Sequence, residues 1–540
     1  MSKRIQTLGS VLCLFLFIIN CAKRGSITGG EEDTTPPEFV KASPPNYTTN
    51  FKGKEVRIYF DELIKLKDVQ KQILISPPMD PKPVISPQGS PAKFIKIKFT
   101  DTLLENTTYS INFGESIVDN NEENPLPFFK YVFSTGSYLD SLKIEGQIQD
   151  ALKNEPDPFV SVLLYEVDSS YTDSMVFKEV PRYITSTLDS TLFSISNIKE
   201  GSYKLIALKD KSNDFRFQPD KDRIGFYEKV VTLPEDTATF YTLRLFQEVL
   251  DFEAKRPKQE SKYKYMIGYE GVADSVSINV FNTPDEYDYR ILEDPEKDTL
   301  YYWYKPFWEV DSLVFNIRNG NRYEDTIISR HKDMKVDSLD LSRASTNYGV
   351  EGRLDFRGTT PLQSYDTAFI KVLRRDSTLI SHTIRLDSIK NVIEVRFKSQ
   401  EDSSYVVEML PGAVTDFYGM QNDTIQTAIS IPAQKDFGTL SLNVRRVLNY
   451  PILIQLTDTE GKVKYEKTQT EAGEIKFANL EPAKYLLRII FDRNKNNRWD
   501  TGNFLKNRLP ERVTYYPKEI DVRANWDLKE TFTLDSLQQQ

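Results

Sequence analysis

The chain has 540 residues and a formal net charge of −9, with only two cysteines and two histidines. Its length predicts several domains, because one domain usually takes about 100–200 residues. The acidic balance and the lack of a polybasic run in the sequence argue against nucleic acid and against anionic lipid headgroups as partners. Both cysteines, Cys13 and Cys21, lie within the first 21 residues, so the chain after Cys21 contains no thiol. Disulfides, thiolate metal sites and cysteine nucleophiles are therefore excluded from that part.

The first segment has the pattern of a secretory signal. Lys3 and Arg4 precede an apolar run at 11–19, which is too short for a bilayer that needs about 20 residues. The cysteine after this run resembles that of a bacterial lipobox, which implies that Cys21 is lipidated and becomes the mature N-terminus. A soluble secreted protein is the alternative. We therefore predict a lipoprotein signal peptide at 1–20, a flexible tether at 21–35 and a lipid-anchored location at the outer membrane.

The rest of the sequence favours β-strands. Ile95, Ile97 and Phe99 alternate with Lys96 and Lys98, and this period of two places one face on a core and the other in water. The predicted fold class is all-β, with tandem antiparallel β-sandwich domains. The best candidate for a helix is short and covers 61–74.

The first predicted domain spans 36–137. It resembles the SbsA-type bacterial Ig-like domain, in the form found at the N-terminus of Bacteroidota lipoproteins. Prolines before its first strand prevent a helix and protect an edge. The residues that carry the resemblance are Asp33-Thr-Thr-Pro-Pro, Ser43-Pro-Pro-Asn, Val56-Arg-Ile-Tyr-Phe-Asp-Glu, Thr108-Tyr-Ser-Ile-Asn-Phe-Gly and Phe133-Ser-Thr-Gly.

An internal repeat connects two further domains, predicted at 142–248 and 436–535. The stretch 197–210 returns at 479–492 without a gap, so that Asn197 matches Asn479 and Tyr203 matches Tyr485. A constant offset through a strand is typical of a duplicated unit. Both copies resemble the transthyretin-like, carboxypeptidase-regulatory-like β-sandwich.

Two domains are predicted between these copies. Residues 346–432 repeat the first domain more faintly, because the stretch 404–416 mirrors 108–119, and we predict a second Ig-like domain there. Residues 251–345 are strand-rich and resemble no family that we can name.

The loop after the second copy is a candidate calcium site. Asp492, Asn494, Asn496 and Asp500 stand at positions 1, 3, 5 and 9 of an EF-type loop, and oxygen ligands at that spacing suit Ca²⁺. Position 12 is Asn503 in place of a bidentate Glu. The alternative is a hairpin whose Asp and Asn side chains form Asx turns.

The first copy carries a weaker version of the same calcium motif. Asp210, Ser212 and Asp214 occupy its positions 1, 3 and 5, with Lys221 at position 12. No other cofactor is predicted.

An aromatic group at 301–308 contains Trp303 and Trp308. Exposed rings there could stack on sugars or on a partner protein, whereas burial of the strand would make the group part of a core.

These patterns predict a non-enzymatic outer-membrane lipoprotein that acts as a scaffold or accessory subunit of an envelope protein complex. The sequence offers no Gly-x-Ser-x-Gly, phosphate-binding loop or His-rich metal spacing. The expected partners are envelope proteins and, through the lipid, the membrane. The alternative is a surface lipoprotein for glycan binding or adhesion.

Overall fold

The computed structural model describes residues 33–344 and 352–539. The predicted signal, Cys21, most of the tether and the predicted boundary at 345–346 lie outside these residues. Within them no helix is long and apolar enough to cross a membrane. The regular secondary structure of the described residues is almost entirely β-strand, with short helical turns at Val69–Gln72, Asp173–Phe177, Thr367–Phe369, Gln434–Asp436 and Ser536–Gln539.

The chain divides into two compact units. One contains the chain through Lys143 together with Arg182–Leu188 and Ile195–Lys199. The other contains Ile144–Pro181, Asp189–Ser194 and the chain from Glu200 onward.

The first Ig-like domain is a sandwich in the first unit. One sheet has the order β1-β2-β5-β4, with β7 paired to β2, and the other has the order β3-β6-β8. Their inner faces bury a core that includes Val56, Ile58, Ile95 and Phe133. The strands are β1 Phe39–Ser43, β2 Glu55–Leu66, β3 Leu74–Ser76, β4 Val84–Ser86, β5 Ala92–Lys98, β6 Thr108–Asn112, β7 Ile117–Asp119 and β8 Lys130–Ser134.

The predicted helix at 61–74 is wrong. Strand β2 continues to Leu66, because Ile64 is buried in the core and the end of the strand pairs with β7, Ile64 opposite Asp119 and Leu66 opposite Ile117. Only Val69–Gln72 forms a helical turn. Sheet pairing therefore overrides the weak local preference for a helix.

The first repeat, predicted at 142–248, contains β10-β13-β14 in one sheet with β15 paired to β13, and β9 paired to β16 in the other. The next eight strands of the chain are β9 Leu142–Asp150, β10 Ser161–Glu166, β11 Tyr183–Ser186, β12 Leu192–Ile198, β13 Gly201–Lys209, β14 Arg223–Phe226, β15 Val231–Leu233 and β16 Phe240–Leu245. Strand β11 belongs to the first unit.

The domain of unknown type at 251–345 is a further sandwich. Its sheets have the orders β17-β19-β22-β21, with β18 paired to β19, and β20-β23-β24. The core is unusually aromatic and includes Tyr265, Tyr302, Tyr304 and Phe315. The strands are β17 Glu253–Ala254, β18 Lys258–Ser261, β19 Lys264–Glu270, β20 Val276–Val280, β21 Asp288–Glu293, β22 Thr299–Lys305, β23 Ser312–Asn319 and β24 Tyr323–Arg330.

The predicted second Ig-like domain has a four-stranded sheet with the order β25-β26-β31-β30, the same linear pattern as β1-β2-β5-β4. Its other strands form β29-β28-β32-β34 and the pair β27-β33. The ranges are β25 Leu341–Arg343, β26 Arg353–Gly358, β27 Leu362–Tyr365, β28 Ile370–Arg374, β29 Leu379–Ile380, β30 His382–Asp387, β31 Val392–Phe397, β32 Ser403–Met409, β33 Val414–Asp416 and β34 Ile425–Ile431.

The second repeat has the sheets β37-β36-β39-β40, with β41 paired to β39, and β38-β35-β42. Asn197 and Asn479, matched in sequence, have φ of 62° and 56°. Asn tolerates this left-handed conformation, which turns the chain into β13 and β39. The strands are β35 Gly438–Arg445, β36 Ile452–Thr457, β37 Val463–Gln469, β38 Glu474–Leu480, β39 Ala483–Phe491, β40 Val513–Tyr515, β41 Ile520–Val522 and β42 Asp527–Thr533.

One pairing in each repeat departs from the antiparallel expectation. The first and last strands lie side by side in parallel, β9 with β16 and β35 with β42. The pairs that β13 and β39 form in their sheets are antiparallel, as are β35 with β38 and β36 with β37. The shared parallel pair gives the two copies one strand plan.

Candidate functional site

The calcium candidate lies in the loop 492–512 between β39 and β40. Asp492 is 3% exposed, and its carboxylate accepts the backbone N–H groups of Asn496 at 3.1 Å and Asn497 at 2.8 Å. The side-chain amides of Asn494 and Asn496 donate to Asp500 Oδ2 at 2.5 and 2.7 Å. The fold therefore gathers all four predicted side chains into one turn.

A fifth side chain, Glu511, closes this loop from its far end. It is 6% exposed, and its two oxygens accept the backbone N–H groups of Arg493 at 2.7 Å and Asp500 at 3.2 Å. Burial raises the pKa of Glu511, and the nearby carboxylates of Asp500 and Asp492 raise it further, although the two backbone hydrogen bonds oppose this. Through these two hydrogen bonds, Glu511 holds the backbone of Arg493 and Asp500 close to the start of β40.

The first repeat closes its shorter loop, 210–222, in the same way. Asp210 accepts the backbone N–H groups of Asn213 at 2.6 Å and Phe215 at 2.7 Å. Asp222 is fully buried and accepts the N–H groups of Lys211 and Gln218, each at 2.9 Å. Burial also raises the pKa of Asp222, with Asp210 and Asp214 adding to the effect.

The two closing carboxylates occupy equivalent places. Glu511 binds the N–H groups one and eight residues after Asp492, and Asp222 binds those one and eight residues after Asp210. Because each carboxylate satisfies two loop N–H groups that would otherwise lack a partner, the loop backbone is fixed without a regular ladder.

Calcium binding stays a prediction at both loops. In the described residues, no three His, Cys, Asp or Glu side chains are grouped so that they could hold a metal ion. A cation at 492–500 would therefore need the amide oxygens of Asn494 and Asn496 beside the carboxylates, as the EF-type spacing implies. In the first loop Ser212 is exposed, and Asp214 accepts from Arg216 N at 3.0 Å and from Gln218 Nε2 at 3.1 Å.

Sequence reasoning missed Glu511 and Asp222. Both stand next to an arginine and an aliphatic residue at the start of the next strand, as Glu511-Arg-Val and Asp222-Arg-Ile. The gap-free match between the copies ends at Asp210 and Asp492, because the second loop contains an insertion. Aligning the far ends of the two loops would have identified the pair.

The insertion carries Phe504, which docks the second repeat onto the first. Phe504 is 1% exposed, and its ring lies 5.3 Å from that of Phe226 and 6.3 Å from that of Phe177. Lys204 Nζ lies 6.0 Å from the same ring, and burial lowers the pKa of this lysine. A Cβ on Gly502 would stand 2.5 Å from Phe246, so only glycine permits this approach.

Polar groups surround this contact, which we name the repeat interface (residues 152, 177, 204, 226 and 246–248 against 488, 501–504 and 515). Thr501 Oγ1 donates to Gln247 O at 2.6 Å, and Phe504 N donates to Glu248. Tyr515 Oη donates to Leu152 O at 2.8 Å. Asn503, the twelfth loop position, contacts Glu248 at 3.4 Å, so its side chain faces the first repeat.

The aromatic group at 301–308 is not an exposed platform. Trp303 is 2% exposed, and Tyr302 and Tyr304 are fully buried. The ring of Trp308 makes edge contacts with Tyr287 and Tyr304, each at 5.5 Å between centroids. Of the two interpretations of this group, burial in a strand therefore holds for Trp303, and stacking on sugars does not.

A second contact between domains explains why side chains on both faces of β22 are buried. Tyr418, in the turn after β33, stacks on Tyr263 at 4.9 Å and donates to Tyr304 O at 3.2 Å. Lys305 donates to Phe417 O at 2.5 Å, and its ammonium lies 4.1 Å from the Phe417 ring. The second Ig-like domain thus covers the outer side of the aromatic strand.

One of the two histidines, His331, is buried in the aromatic core. Its Nδ1 lies 3.0 Å from Tyr265 Oη and its Nε2 lies 3.1 Å from Trp308 O. Burial lowers its pKa. Both ring nitrogens serve the packing of the aromatic core.

Comparison with known families identifies one part of the chain. Residues 33–135 match the bacterial Ig-like domain family, which agrees with the predicted first domain. This match covers about a fifth of the sequence and assigns that domain alone. No curated protein matches the chain.

Three solved structures with related features are distant from this chain. The surface layer protein SbsC, domains 1–6, is 9% identical over 90% of this chain and 67% of its own, with a TM-score of 0.16. The Bacteroides ovatus mixed-linkage glucan utilization locus protein SGBP-B, in complex with a heptasaccharide, is 10% identical over 71% of this chain and 91% of its own, with a TM-score of 0.19. The titin I9–I11 tandem is 8% identical over 52% of this chain and 100% of its own, with a TM-score of 0.13. At these scores none of them assigns a function.

Proposed function

We propose that this chain is a lipid-anchored, non-enzymatic scaffold subunit of a cell-envelope protein complex. The observation that supports it best is the repeat interface. Phe504 and Gly502 join two domains that are about 250 residues apart in sequence, and the ring of Phe504 is 1% exposed in this contact. This contact fixes the two repeats relative to each other, and a scaffold requires such fixed positions for the surfaces that bind its partners.

The predicted anchor supports the envelope location. Cys21 ends a signal-like segment and precedes a polar tether, so the first Ig-like domain would start close to the lipid. Dual or triple acylation anchors proteins stably where a single chain does not. The lipidated protein would therefore remain with the membrane after cell disruption.

The non-enzymatic part of the proposal is supported by where the reactive residue types lie. His331 is enclosed in the aromatic core, and Glu511 and Asp222 are bonded to loop backbone. Each of these groups has a structural task at its position.

The alternative, a surface glycan-binding or adhesion lipoprotein, rests on the aromatic group and on the Ig-like modules, and it loses the first of these two supports. Trp303 is covered by Tyr418 and Lys264, with the ammonium 5.2 Å from its ring. We therefore rank glycans below envelope proteins as partners.

The test is a pull-down of the tagged native protein from membranes in mild detergent, followed by mass spectrometry. We expect a stoichiometric integral envelope protein, and we expect its recovery to fall when Phe504→Ala disrupts the repeat interface. The exposed neighbour offers the matched control, Leu505→Ala. Recovery of the lipoprotein alone would count against the scaffold. For the anchor, we expect the native chain to stay in the membrane fraction after a wash at high salt, and Cys21→Ser to be released by the same wash.

A further inference from the structure

The outer face of the first Ig-like domain gathers cations that are scattered in sequence. Strand alternation points Val56, Ile58, Ile95 and Ile97 to the core and their neighbours outward. In register, Lys41 lies opposite Tyr59 and Tyr59 opposite Phe94, with Arg57 opposite Lys96 and Glu55 opposite Lys98. We name the six residues Lys41, Arg57, Tyr59, Phe94, Lys96 and Lys98 the basic face.

Most of this charge is not neutralised. Lys41, Lys96 and Lys98 form no ion pair with any other residue in the described part of the chain, and Arg57 pairs with Glu55 at 3.0 Å with both side chains nearly half exposed. Asp61, at the end of the face, is the other carboxylate on β2 that points the same way. Four cations therefore stand against two anions in a chain whose total charge is −9.

Exposed aromatic rings lie among the cations. Phe94 is 36% exposed, and its ring lies 5.8 Å from that of Tyr59. Lys41 Nζ lies 5.4 Å from the centroid of the Tyr59 ring. Lysines beside partly exposed aromatic rings are typical of surfaces that rest at the membrane–water boundary.

The fold itself does not require this composition. On the equivalent sheet of the second Ig-like domain, Arg353 pairs with Asp355 at 2.6 Å and with Glu394 at 3.2 Å, and Arg396 pairs with Glu394 as well. Two cations of that face are therefore paired with carboxylates, whereas on the basic face only Arg57 is paired within the described residues.

We infer that the basic face docks on the anionic phospholipid headgroups of the membrane to which the chain is tethered. Membrane phospholipids are favoured as the anionic partner because the proposed lipid anchor keeps the first domain near the membrane, and this step rests on that anchor. Cys21 precedes β1 by fewer than 20 residues, which span at most about 65 Å when extended. At physiological ionic strength charges beyond about 8 Å are screened, so the headgroups sense the basic face and not the net charge of the chain.

The experiment uses the mature-length chain with Cys21→Ser, so that no acyl group contributes to binding. Sedimentation with vesicles of equal parts phosphatidylglycerol and phosphatidylcholine is compared with vesicles of phosphatidylcholine alone. The face variant is Lys41→Gln, Lys96→Gln, Lys98→Gln. The control, with the same change in net charge, is Lys229→Gln, Lys390→Gln, Lys518→Gln at exposed sites elsewhere.

We expect the parent and the control to bind the anionic vesicles, more weakly as salt rises, and the face variant to bind at least tenfold more weakly, because one lysine near such a surface contributes about fivefold. Phe94→Thr should weaken binding without changing the salt dependence. Equal binding of the face variant and the control, or no preference for anionic vesicles, would overturn the inference. Equally tight binding to soluble dextran sulfate, unaffected by Phe94→Thr, would assign the face to a polyanion instead.

Failure here and failure of the proposed anchor are distinguishable. Vesicle binding is measured without the lipid, whereas anchoring is measured by the membrane retention of the native chain. Thermal melting of each variant provides the folding control, since all the substituted lysines are at least partly exposed.

Discussion

The two repeats share a strand plan and a loop closure, and they differ in the length of the loop that is closed. In the first, Asp210 and Asp222 hold a loop of 210–222 that ends at once in β14. In the second, Asp492 and Glu511 hold the equivalent turn, but the loop runs over 492–512. The extra residues include Gly502 and Phe504, which contact the first repeat.

This difference shows how a duplicated domain can gain a partner without changing its frame. The buried carboxylates fix the loop backbone in both copies, so an insertion between them leaves the sheets intact. The longer side chain of Glu511 reaches the same two positions as Asp222 from a later point in the chain. The insertion is then free to supply the repeat interface.

The largest effect is expected from Phe504→Ala. Removing a buried ring typically costs about 3–5 kcal/mol, and here the cost falls on the contact between the repeats. Calorimetry should show a lower midpoint for the transition that includes the repeats, and hydrogen exchange should show lost protection around Leu152 and Phe226. Leu505→Ala, at a side chain 58% exposed, should change stability by less than about 0.5 kcal/mol. Equal effects of the two substitutions would show that the contact is not stabilising.

Removing either closing carboxylate tests whether the loops are equivalent. Glu511→Ala and Asp222→Ala should each destabilise by about 2–3 kcal/mol, since two backbone N–H groups lose their acceptor. Glu511→Ala should also weaken the repeat interface, because it loosens the segment that carries Phe504. Chemical denaturation measures the loss of stability, and hydrogen exchange at residues 501–504 measures the weakening of the repeat interface. Loss of protection at residues 501–504 in Asp222→Ala alone would contradict the assignment.

Calcium should separate the two loops by their chemistry. If 492–500 binds Ca²⁺, a hundredfold excess over Kd stabilises the folded state by about 2.7 kcal/mol. We expect higher melting in Ca²⁺ than in chelator, and loss of this difference in Asp500→Asn, whose parent carboxylate bonds only side chains of its own loop. Asp214→Asn in the first loop is the matched control and should retain the response. Identical melting with and without chelator would leave both loops as Asx turns.

The smallest effect concerns pH. Burial raises the folded-state pKa of Glu511 and of Asp222. The unfolded chain then releases these protons first, from about pH 4 upward, so their contribution to stability is complete below that pH and is lost as pH rises through the raised pKa. Between pH 4 and neutrality, the melting temperature of the double variant Asp222→Asn, Glu511→Gln should therefore fall less than that of the parent protein. The control is Glu235→Gln, at an exposed carboxylate. If its melting temperature changed with pH as little as that of the double variant, the explanation would be refuted.

Alternation and turn residues determined the local structure from sequence alone. Ile95 and Ile97 face the core as their spacing with Lys96 and Lys98 predicts. Asn497, at position 6 of the EF-type loop that begins at Asp492, has φ 60°, a left-handed conformation that Asn tolerates. Such signals are readable because each depends on a few neighbouring residues.

Tertiary structure decided which outer faces are covered. The runs Val162–Tyr165, Tyr301–Tyr304 and Ile452–Thr457 do not alternate cleanly, because another domain or loop packs on the side that would otherwise face water. The sequence shows that these strands are apolar on both sides, but it does not name the covering residue. Phe504 and Tyr418 lie more than a hundred residues away from the strands they cover, and a local pattern carries no information about them.

The basic face depends on the same kind of distant placement. The four cations of the basic face, Lys41, Arg57, Lys96 and Lys98, are spread over nearly 60 residues, so no charged run appears in the sequence, and the chain as a whole is acidic. Only the pairing of β1, β2 and β5 brings these cations onto one surface. The sequence by itself therefore determined which residues point outward, and the sheet register decided which of them meet.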